Sequence, residues 1–275
     1  MKYLIIGNSA AAIGAVEGIR SRDADGEITI VAGENYHTYS RPLISYLMAG
    51  KIDRNKMYYR PRDFYRRHQV QFYAGEKAVQ IMPREKSVHI APSNLNLDYD
   101  LLLITAGGTP VLPSSFEGHY DNLLYFHSWD DMTELSARLR SDQPSRIVVV
   151  GGGLIGLKAA ESLLLRKQQV TVIEAGSYLL NSVMDADGAE IIADYLTARG
   201  IKIMVNNPVV QVEGDTAINH LILQDGRRIY CDMVILAAGV KPNLNWLAGS
   251  GLVSENGILV NQSLQSSLPD IYAAG

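Results

Sequence analysis

The sequence predicts an α/β fold of two three-layer domains, each built on a parallel β-sheet. The first observation behind this prediction is an internal repeat. Residues 2–34 form an apolar strand, a turn of small residues, a helix and a second apolar strand, and residues 146–174 repeat that plan. Each copy ends at an acidic residue, Glu34 in one and Glu174 in the other. Alternating strands and helices are typical of parallel sheets covered by helices.

A second pair of similar segments lies later in each half. Residues 100–107 and residues 232–239 are both near-continuous apolar runs that end in alanine and glycine. Strands buried on both faces of a parallel sheet have this composition. Each half therefore opens with a turn of small residues and closes with a buried strand.

Composition excludes several classes of protein. The 275 residues are 47% hydrophobic and 20% charged, which is enough for two ordinary domains with cores of their own. The net charge of -4 argues against a nucleic-acid binder. The first strand starts directly after Lys2, and no apolar run reaches the roughly 18 residues of a membrane span, so we expect a cytoplasmic protein. Cys231 is the only cysteine, which excludes an internal disulfide, and no metal site is predicted.

The second turn has the full spacing of a dinucleotide site, with Gly151, Gly153 and Gly156 between a strand and a helix. Glycine lets the backbone approach a pyrophosphate, and the helix N-terminus attracts its negative charge. An acidic residue at the end of the next strand accepts a hydrogen bond from a ribose hydroxyl. A tight turn without a ligand is the alternative. The residues assigned to this site are Gly151, Gly153, Leu154, Ile155, Gly156, Glu174, Ala238 and Gly239.

Glu174 also predicts the choice of nicotinamide cofactor. A carboxylate at this position repels the 2′-phosphate of NADPH, and residues 175–177 contain no arginine to receive that phosphate. We therefore expect NADH rather than NADPH.

The first turn is a degenerate version of the same pattern. Gly7 is kept, whereas Ser9 and Ala12 stand at the second and third glycine positions. Both residues are small, so a close approach of the backbone survives. Taken alone, a plain strand–helix turn fits equally well, and it is the repeat that favours a second dinucleotide site.

Two such turns, followed by these closing strands, resemble the FAD-dependent pyridine nucleotide-disulfide oxidoreductase superfamily. The resemblance is closest to rubredoxin and ferredoxin–NAD reductases and to the flavin-binding N-terminal part of nitrite reductase. It implies two Rossmann-like domains, one for FAD at residues 1–112 plus 243–275 and one for NADH at residues 113–242. Hydride would pass from the nicotinamide C4 to the flavin N5. The FAD contacts that it implies are Gly7, Ser9, Ala10, Ala11, Glu34, Arg41, Pro42, Ala78, Ala106 and Gly107.

Departures from the family pattern shape the expected chemistry. Residues 36–48 lack the cysteine that some relatives place beside the flavin, which argues against disulfide reductases, coenzyme A disulfide reductases and water-forming NADH oxidases. Electrons would then pass directly from the flavin to a partner. Residues 268–275 resemble the last FAD motif, and the family's C-terminal interface domain is expected to be absent after Gly275.

The same resemblance raises questions about the roles of four further side chains. Ser45 and Lys158 stand where relatives often have a paired lysine and glutamate. Lys158 either stabilises negative charge on the reduced flavin or is an exposed helix lysine. His127 stands where relatives often have an arginine that touches FAD, and no role is carried over to it. His37 is either a flavin contact or, by preference, a surface loop histidine.

Three functions remain open on these grounds. The first is an NADH-dependent reductase that serves an electron carrier such as rubredoxin or ferredoxin, and the full-length form would allow a homodimer. The second is the flavin module of a nitrite reductase-like enzyme, and the third is a non-catalytic nucleotide-binding interaction protein. A basic cluster would either steer an acidic carrier or form a solvated face balanced by Asp53 and Asp63. Its members are Lys51, Arg54, Lys56, Arg60, Arg62, Arg66 and Arg67.

Overall fold

The computed structural model describes residues 1–139 and 143–275. The strands are β1 (Lys2–Ile6), β2 (Glu27–Ala32), β3 (Val70–Ala74), β4 (Lys77–Met82), β5 (Ser87–Ala91), β6 (Leu95–Asp98), β7 (Leu101–Ile104), β8 (Gly108–Pro110), β9 (Leu123–Tyr125), β10 (Arg146–Val150), β11 (Gln169–Ile173), β12 (Lys202–Met204), β13 (Val209–Gly214), β14 (Ile218–Leu223), β15 (Arg228–Tyr230), β16 (Met233–Leu236), β17 (Val240–Pro242) and β18 (Ile271–Ala273). The α-helices are α1 (Ala10–Arg20), α2 (Ile44–Met48), α3 (Phe64–Arg67), α4 (Trp129–Arg138), α5 (Leu154–Leu165) and α6 (Ala186–Thr197). Short 3₁₀ turns lie at Arg41–Leu43, Arg54–Met57, Ser114–Phe116 and Asn245–Leu247.

The chain divides into two compact units. The first contains residues 1–40, 57–109 and 241–275, and the second contains residues 41–56 and 110–240. Two of the four boundaries between the units fall within β8 and β17, and the other two flank residues 41–56. The domain ranges expected from the sequence differ mainly at residues 41–56, which were expected in the first domain. This segment belongs to the second unit because its helix α2 packs against α4 and α5.

The first unit is built on a parallel sheet of order β18-β7-β1-β2-β3. Strand β1 lies at its centre and is apolar on both faces. Leu4 and Ile6 pack toward the antiparallel strands β4 and β5, whereas Ile5 packs against α1. Helix α1 presents Ile13 and Val16, both fully buried, to the sheet. The first unit thus has three layers, as expected, and they are a helix, a parallel sheet and an antiparallel sheet.

The second unit repeats this arrangement. Its parallel sheet has the order β12-β11-β10-β16-β9, with β10 at the centre. Val148 and Val234 pack with the antiparallel strands β13 and β14 on one face, and helix α5 contacts β10 and β11. In α5, Ala160 and Leu163 are fully buried. The predicted α/β fold of two Rossmann-like units is confirmed.

Local signals in the sequence also set the ends of several elements. Asp185 caps α6, because its carboxylate accepts a hydrogen bond of 2.9 Å from the Gly188 amide. Gly200, three residues after α6 ends, has a φ of +96°, a left-handed value that favours glycine. Strands β14 and β15 form a hairpin, with Gly226 at a φ of +83° in its turn.

Within residues 1–139 and 143–275, no helix combines the length and the apolar character that crossing a bilayer requires.

Candidate dinucleotide-binding sites

The three glycines of the second turn differ in the space that a side chain would have at each position. Gly151 has a φ of +116°, and an added Cβ would lie 2.2 Å from the carbonyl oxygen of Ala237. A Cβ on Gly156 would lie 1.9 Å from the carbonyl oxygen of Gly151, so this glycine allows α5 to pack tightly on the turn. A Cβ on Gly153 would meet no atom within 4 Å. The open space is therefore at Gly153, where the backbone of such turns approaches a pyrophosphate.

Helix α5 begins beside that open space. Gly153 is its N-cap residue and has no side chain to satisfy the first helical amides. Leu154 and Ile155 start the helix and are exposed at 60% and 40%. Free amides at a helix N-terminus, together with the helix dipole, make a site for an anion.

Glu174 is fixed beside the same turn by two backbone amides. Its Oε2 accepts a hydrogen bond of 2.6 Å from the Gly152 amide, and its Oε1 accepts one of 2.6 Å from the Gly176 amide. Hydrogen bonds to a carboxylate are stronger than those between neutral groups. The carboxylate is thus held in place before any ligand arrives.

A cavity of about 360 Å³ in the second unit brings much of the predicted site together, within the range of small-molecule sites. Of the predicted residues, Gly151, Gly153, Glu174, Ala238 and Gly239 line it. Leu154, Ile155 and Gly156 form the helix start that follows this turn. The lining also includes residues that the sequence did not indicate, which are Pro113, Ser115, Phe116, Val150, Ile173, Ala175, Asn181, Pro208, Val209 and Ala237.

Asn181 is one of two polar side chains in this cavity, with Ser115, that the sequence did not indicate. It lies in the loop between β11 and α6, and its Nδ2 would be 2.0 Å from a Cβ added to Gly176. The preceding residue, Leu180, has a φ of +57°, which turns the loop back toward the cavity. A glycine two positions after the acidic strand end was the available signal, because Gly176 leaves room for the asparagine.

The structure of the first turn explains why serine and alanine can stand at two of its three glycine positions. Gly7 has a φ of +114°, and an added Cβ would lie 2.1 Å from the carbonyl oxygen of Thr105, so this glycine is required. Ser9 has φ and ψ of −102° and −166°, an extended conformation that any residue adopts. Gly153, its counterpart, is also extended, at −78° and −178°. Ala12 is fully buried in the core that α1 forms with the sheet, so its methyl group is accommodated there.

The first unit gathers its predicted residues at the carboxyl edge of its sheet. The Gly7 amide donates to the carbonyl of Val31 at 2.8 Å, and the Thr105 amide donates to the carbonyl of Ile6 at 2.7 Å. Gly7 and the segment of Thr105, Ala106 and Gly107 therefore meet at the ends of neighbouring strands. Ligands of open α/β sheets bind outside this edge.

The remaining residues expected at the FAD site lie in both units. Ser9 precedes α1, and Ala10 and Ala11 form its first turn. Ala78 lies on β4 and packs against the core of the first unit. Arg41 and Pro42, however, belong to the second unit.

Within the second unit, the Arg41 guanidinium donates to the carbonyl oxygen of His127 at 3.0 Å. His127 thus contributes its backbone to the position of Arg41.

Lys158 has partners that the sequence did not indicate. Its Nζ lies 2.9 Å from Oε2 of Glu161 and 5.6 Å from the ring centroid of Tyr46. The Nζ of Lys51 lies 3.4 Å from the same glutamate. The hydrogen bond to Glu161 raises the pKa of Lys158, and Lys158 lowers the pKa of Glu161. Two lysines share one carboxylate, so this cluster keeps a positive charge.

His37 is a partly buried residue, which differs from the expected surface position. Its ring lies 4.7 Å from that of Tyr65 and 5.6 Å from that of Tyr58, measured between centroids. Its Nε2 is buried, so the imidazole belongs to an aromatic cluster of the first unit.

The predicted basic cluster is partly neutralised. Arg60 makes two hydrogen bonds to Glu17, of 2.8 and 3.1 Å. Arg66 and Arg67 both pair with Asp63, at 3.6 and 2.6 Å. These ion pairs reduce the net positive charge that the cluster offers to an acidic partner.

Two alanine substitutions test the separate roles of the glycines. Gly156→Ala is expected to lower the free energy of unfolding by about 1–3 kcal/mol, because the helix must move away from the turn. Gly153→Ala is expected to change it by less than about 0.5 kcal/mol. It should instead weaken NADH binding, because the methyl group occupies the open space. Chemical denaturation and NADH titration measure the two effects, and an equal loss of stability in both variants would contradict this assignment.

Comparison with known proteins places the chain in a family. All of residues 1–275 match the family described as pyridine nucleotide-disulphide oxidoreductase. The chain is 31% identical to the epsilon subunit of NADH-dependent phenylglyoxylate dehydrogenase from Aromatoleum evansii, over 99% of this chain and 64% of that protein. It is 30% identical to nitrite reductase (NAD(P)H) from Bacillus subtilis (strain 168), over 100% of this chain and 34% of that protein. The crystal structure of a covalent putidaredoxin reductase–putidaredoxin complex superposes with a TM-score of 0.91 at 26% identity, covering 100% of this chain and 67% of that one.

The chain thus spans between about one third and two thirds of the length of these relatives. The matches confirm the resemblance to this family that was inferred from the two turns. The chain belongs to the pyridine nucleotide-disulphide oxidoreductase family.

Proposed function

We propose that this protein is an NADH-dependent flavoprotein reductase that passes electrons from FAD to a separate redox protein or domain. The observation that carries the proposal is that one chain forms the same carboxyl-edge cradle twice. Each cradle has an opening glycine at a φ near +115°, a helix N-terminus, and an acidic residue beyond the next strand. Family membership supports the presence of two dinucleotides.

In this proposal, the second unit holds NADH. The backbone at Gly153 and the first amides of α5 bind the pyrophosphate, and Glu174 accepts a hydrogen bond from a ribose hydroxyl. The first unit holds FAD through the turn at Gly7 and the carboxylate of Glu34. Bound FAD would supply the redox chemistry, by accepting hydride from NADH and donating electrons onward. The residues of the chain bind and orient the two cofactors.

The single cysteine has no part in this reaction. Cys231 is buried among the apolar side chains of the second unit, 1% exposed. Burial, with a contribution from Asp232, raises the pKa of its thiol to about 12. A thiol with this pKa stays protonated at neutral pH and is a poor nucleophile. Direct transfer of electrons from the flavin to an acceptor therefore fits this chain better than a route through a thiolate.

The relatives support two candidates for the electron acceptor. A putidaredoxin reductase relative has been crystallised in a complex with putidaredoxin, which supports a small electron-carrier protein of the rubredoxin or ferredoxin type. The match to nitrite reductase favours a second candidate, in which the chain is the flavin module of a larger enzyme. The two candidates share the NADH reaction and differ in where the electrons go.

The proposal is tested by an absorbance spectrum before and after NADH is added without oxygen. The purified protein, supplied with FAD, should show flavin absorbance near its usual bands, and NADH should bleach it with one NADH consumed per flavin. A protein that binds NADH without bleaching flavin would instead be a non-catalytic nucleotide-binding protein.

The same experiment tests the choice of cofactor. NADH should reduce the flavin at least about tenfold faster than NADPH at limiting concentration, a difference of about 1.4 kcal/mol. Glu174→Ala should narrow this preference, because it removes the charge that repels the 2′-phosphate. Glu190→Ala, which removes an exposed carboxylate of the same unit, should leave the preference unchanged. Comparable rates with both cofactors in the unmodified protein would contradict the role of Glu174.

Lys158 is proposed to stabilise negative charge on the reduced flavin, because its cluster keeps a positive charge. Lys158→Met should slow reduction of the flavin by NADH several-fold and make the flavin potential more negative. Lys202→Met, at an exposed lysine of the same unit, is the matched control. An unchanged rate and potential in Lys158→Met would identify Lys158 as an ordinary surface lysine.

A further inference from the structure

We propose that Tyr39 is a positioning residue for FAD, whose hydroxyl holds the Glu34 carboxylate in the orientation that accepts the adenosine ribose. The inference rests on the proposed function, because it requires FAD at the first turn. It adds to that function a side chain that neither the turn pattern nor the acidic strand end indicates.

The contact between the two side chains is short and sheltered. The Tyr39 hydroxyl donates to Oε2 of Glu34 at 2.5 Å, and Tyr39 is only 8% exposed. The ring of Tyr36 meets that of Tyr39 edge-on, at 6.1 Å between centroids. Hydrogen bonds to a carboxylate from a buried donor are strong and directional. A carboxylate has about four acceptor positions, so Glu34 can accept ribose hydroxyls as well.

The loop that carries both residues is tied to the first turn by side chains. The side-chain Nδ2 of Asn8 donates to the carbonyl oxygen of Tyr36 at 3.1 Å, and the Tyr65 hydroxyl donates to Oδ1 of Asn8 at 2.6 Å. The Thr38 amide in turn donates to the Tyr65 hydroxyl at 3.0 Å. Burial raises the pKa of Tyr65, so this hydroxyl keeps its proton. Asn8 lies in the turn itself, so the distance between turn and loop is fixed.

The second unit performs the same task with its backbone. There the residue after the first glycine is Gly152, and its amide binds Glu174 directly at 2.6 Å. A side chain at that position would be crowded, because a Cβ on Gly152 would lie 2.6 Å from Leu179 and 3.1 Å from Glu174. The first turn has Asn8 at this position, and the Tyr39 hydroxyl donates to its acidic residue, Glu34. Tyr39 is therefore a side-chain counterpart of the amide that donates to Glu174.

Removing one hydroxyl tests this role. The apoprotein of Tyr39→Phe should bind FAD about tenfold more weakly than the unmodified apoprotein, measured by quenching of flavin fluorescence. Tyr3→Phe is the matched control, because the Tyr3 hydroxyl also donates to a carboxylate of the first unit, that of Asp23 at 3.0 Å. Its FAD affinity should stay within about twofold of the unmodified value, and thermal melting should show that both variants are folded.

A double-mutant cycle separates positioning from a purely structural role. In a Glu34→Ala background, Tyr39→Phe should cause no further loss of FAD affinity, because the carboxylate it orients is gone. Additive losses, or a Tyr39→Phe variant that binds FAD normally, would overturn the inference. If Tyr39→Phe does not fold, Tyr39→His replaces it in the double-mutant cycle with Glu34→Ala. Tyr39→His should likewise cause no further loss of FAD affinity in the Glu34→Ala background. An unmodified protein that binds no FAD would instead contradict the proposed function.

Discussion

The close contact between an opening glycine and a closing strand is the constraint on which both units depend. In the first unit, Gly7 faces the carbonyl of Thr105, and in the second unit Gly151 faces the carbonyl of Ala237. The two glycines have nearly the same φ, +114° and +116°. No side chain fits at either position, because a Cβ would lie 2.1 or 2.2 Å from the carbonyl oxygen. The contact brings the start of the following helix to the carboxyl edge of the sheet, where a pyrophosphate can bind.

The acidic residue of each site has identified hydrogen-bond donors. The amides of Gly152 and Gly176 donate to Glu174, and a Cβ at position 152 would be crowded by Leu179 and Glu174. In the first unit, the Tyr39 hydroxyl donates to Glu34, and Asn8 at the position equivalent to Gly152 accepts a hydrogen bond from Tyr65. A serine and an alanine are tolerated in the first turn because only its opening glycine is conformationally required.

The sequence could predict those parts of the molecule that depend on neighbouring residues. The two turns, the acidic strand ends and the buried strands are local, and Glu174 lies beside Gly151 as its spacing implies. Contacts made by distant segments could not be predicted in this way. Residues 41–56 join the second unit because α2 packs on α4 and α5, and no local pattern encodes that choice. Tyr65 reaches Asn8 across 57 residues for the same reason.

One chain is expected to bind two different dinucleotides at two cradles of the same design. The stoichiometry is measured directly by two titrations. The apoprotein is titrated with FAD, and the FAD complex is then titrated, without oxygen, with an NADH analogue that cannot transfer hydride. We expect one FAD and one nicotinamide dinucleotide per chain, with neither displacing the other. Competition of the two ligands for a single site would contradict it.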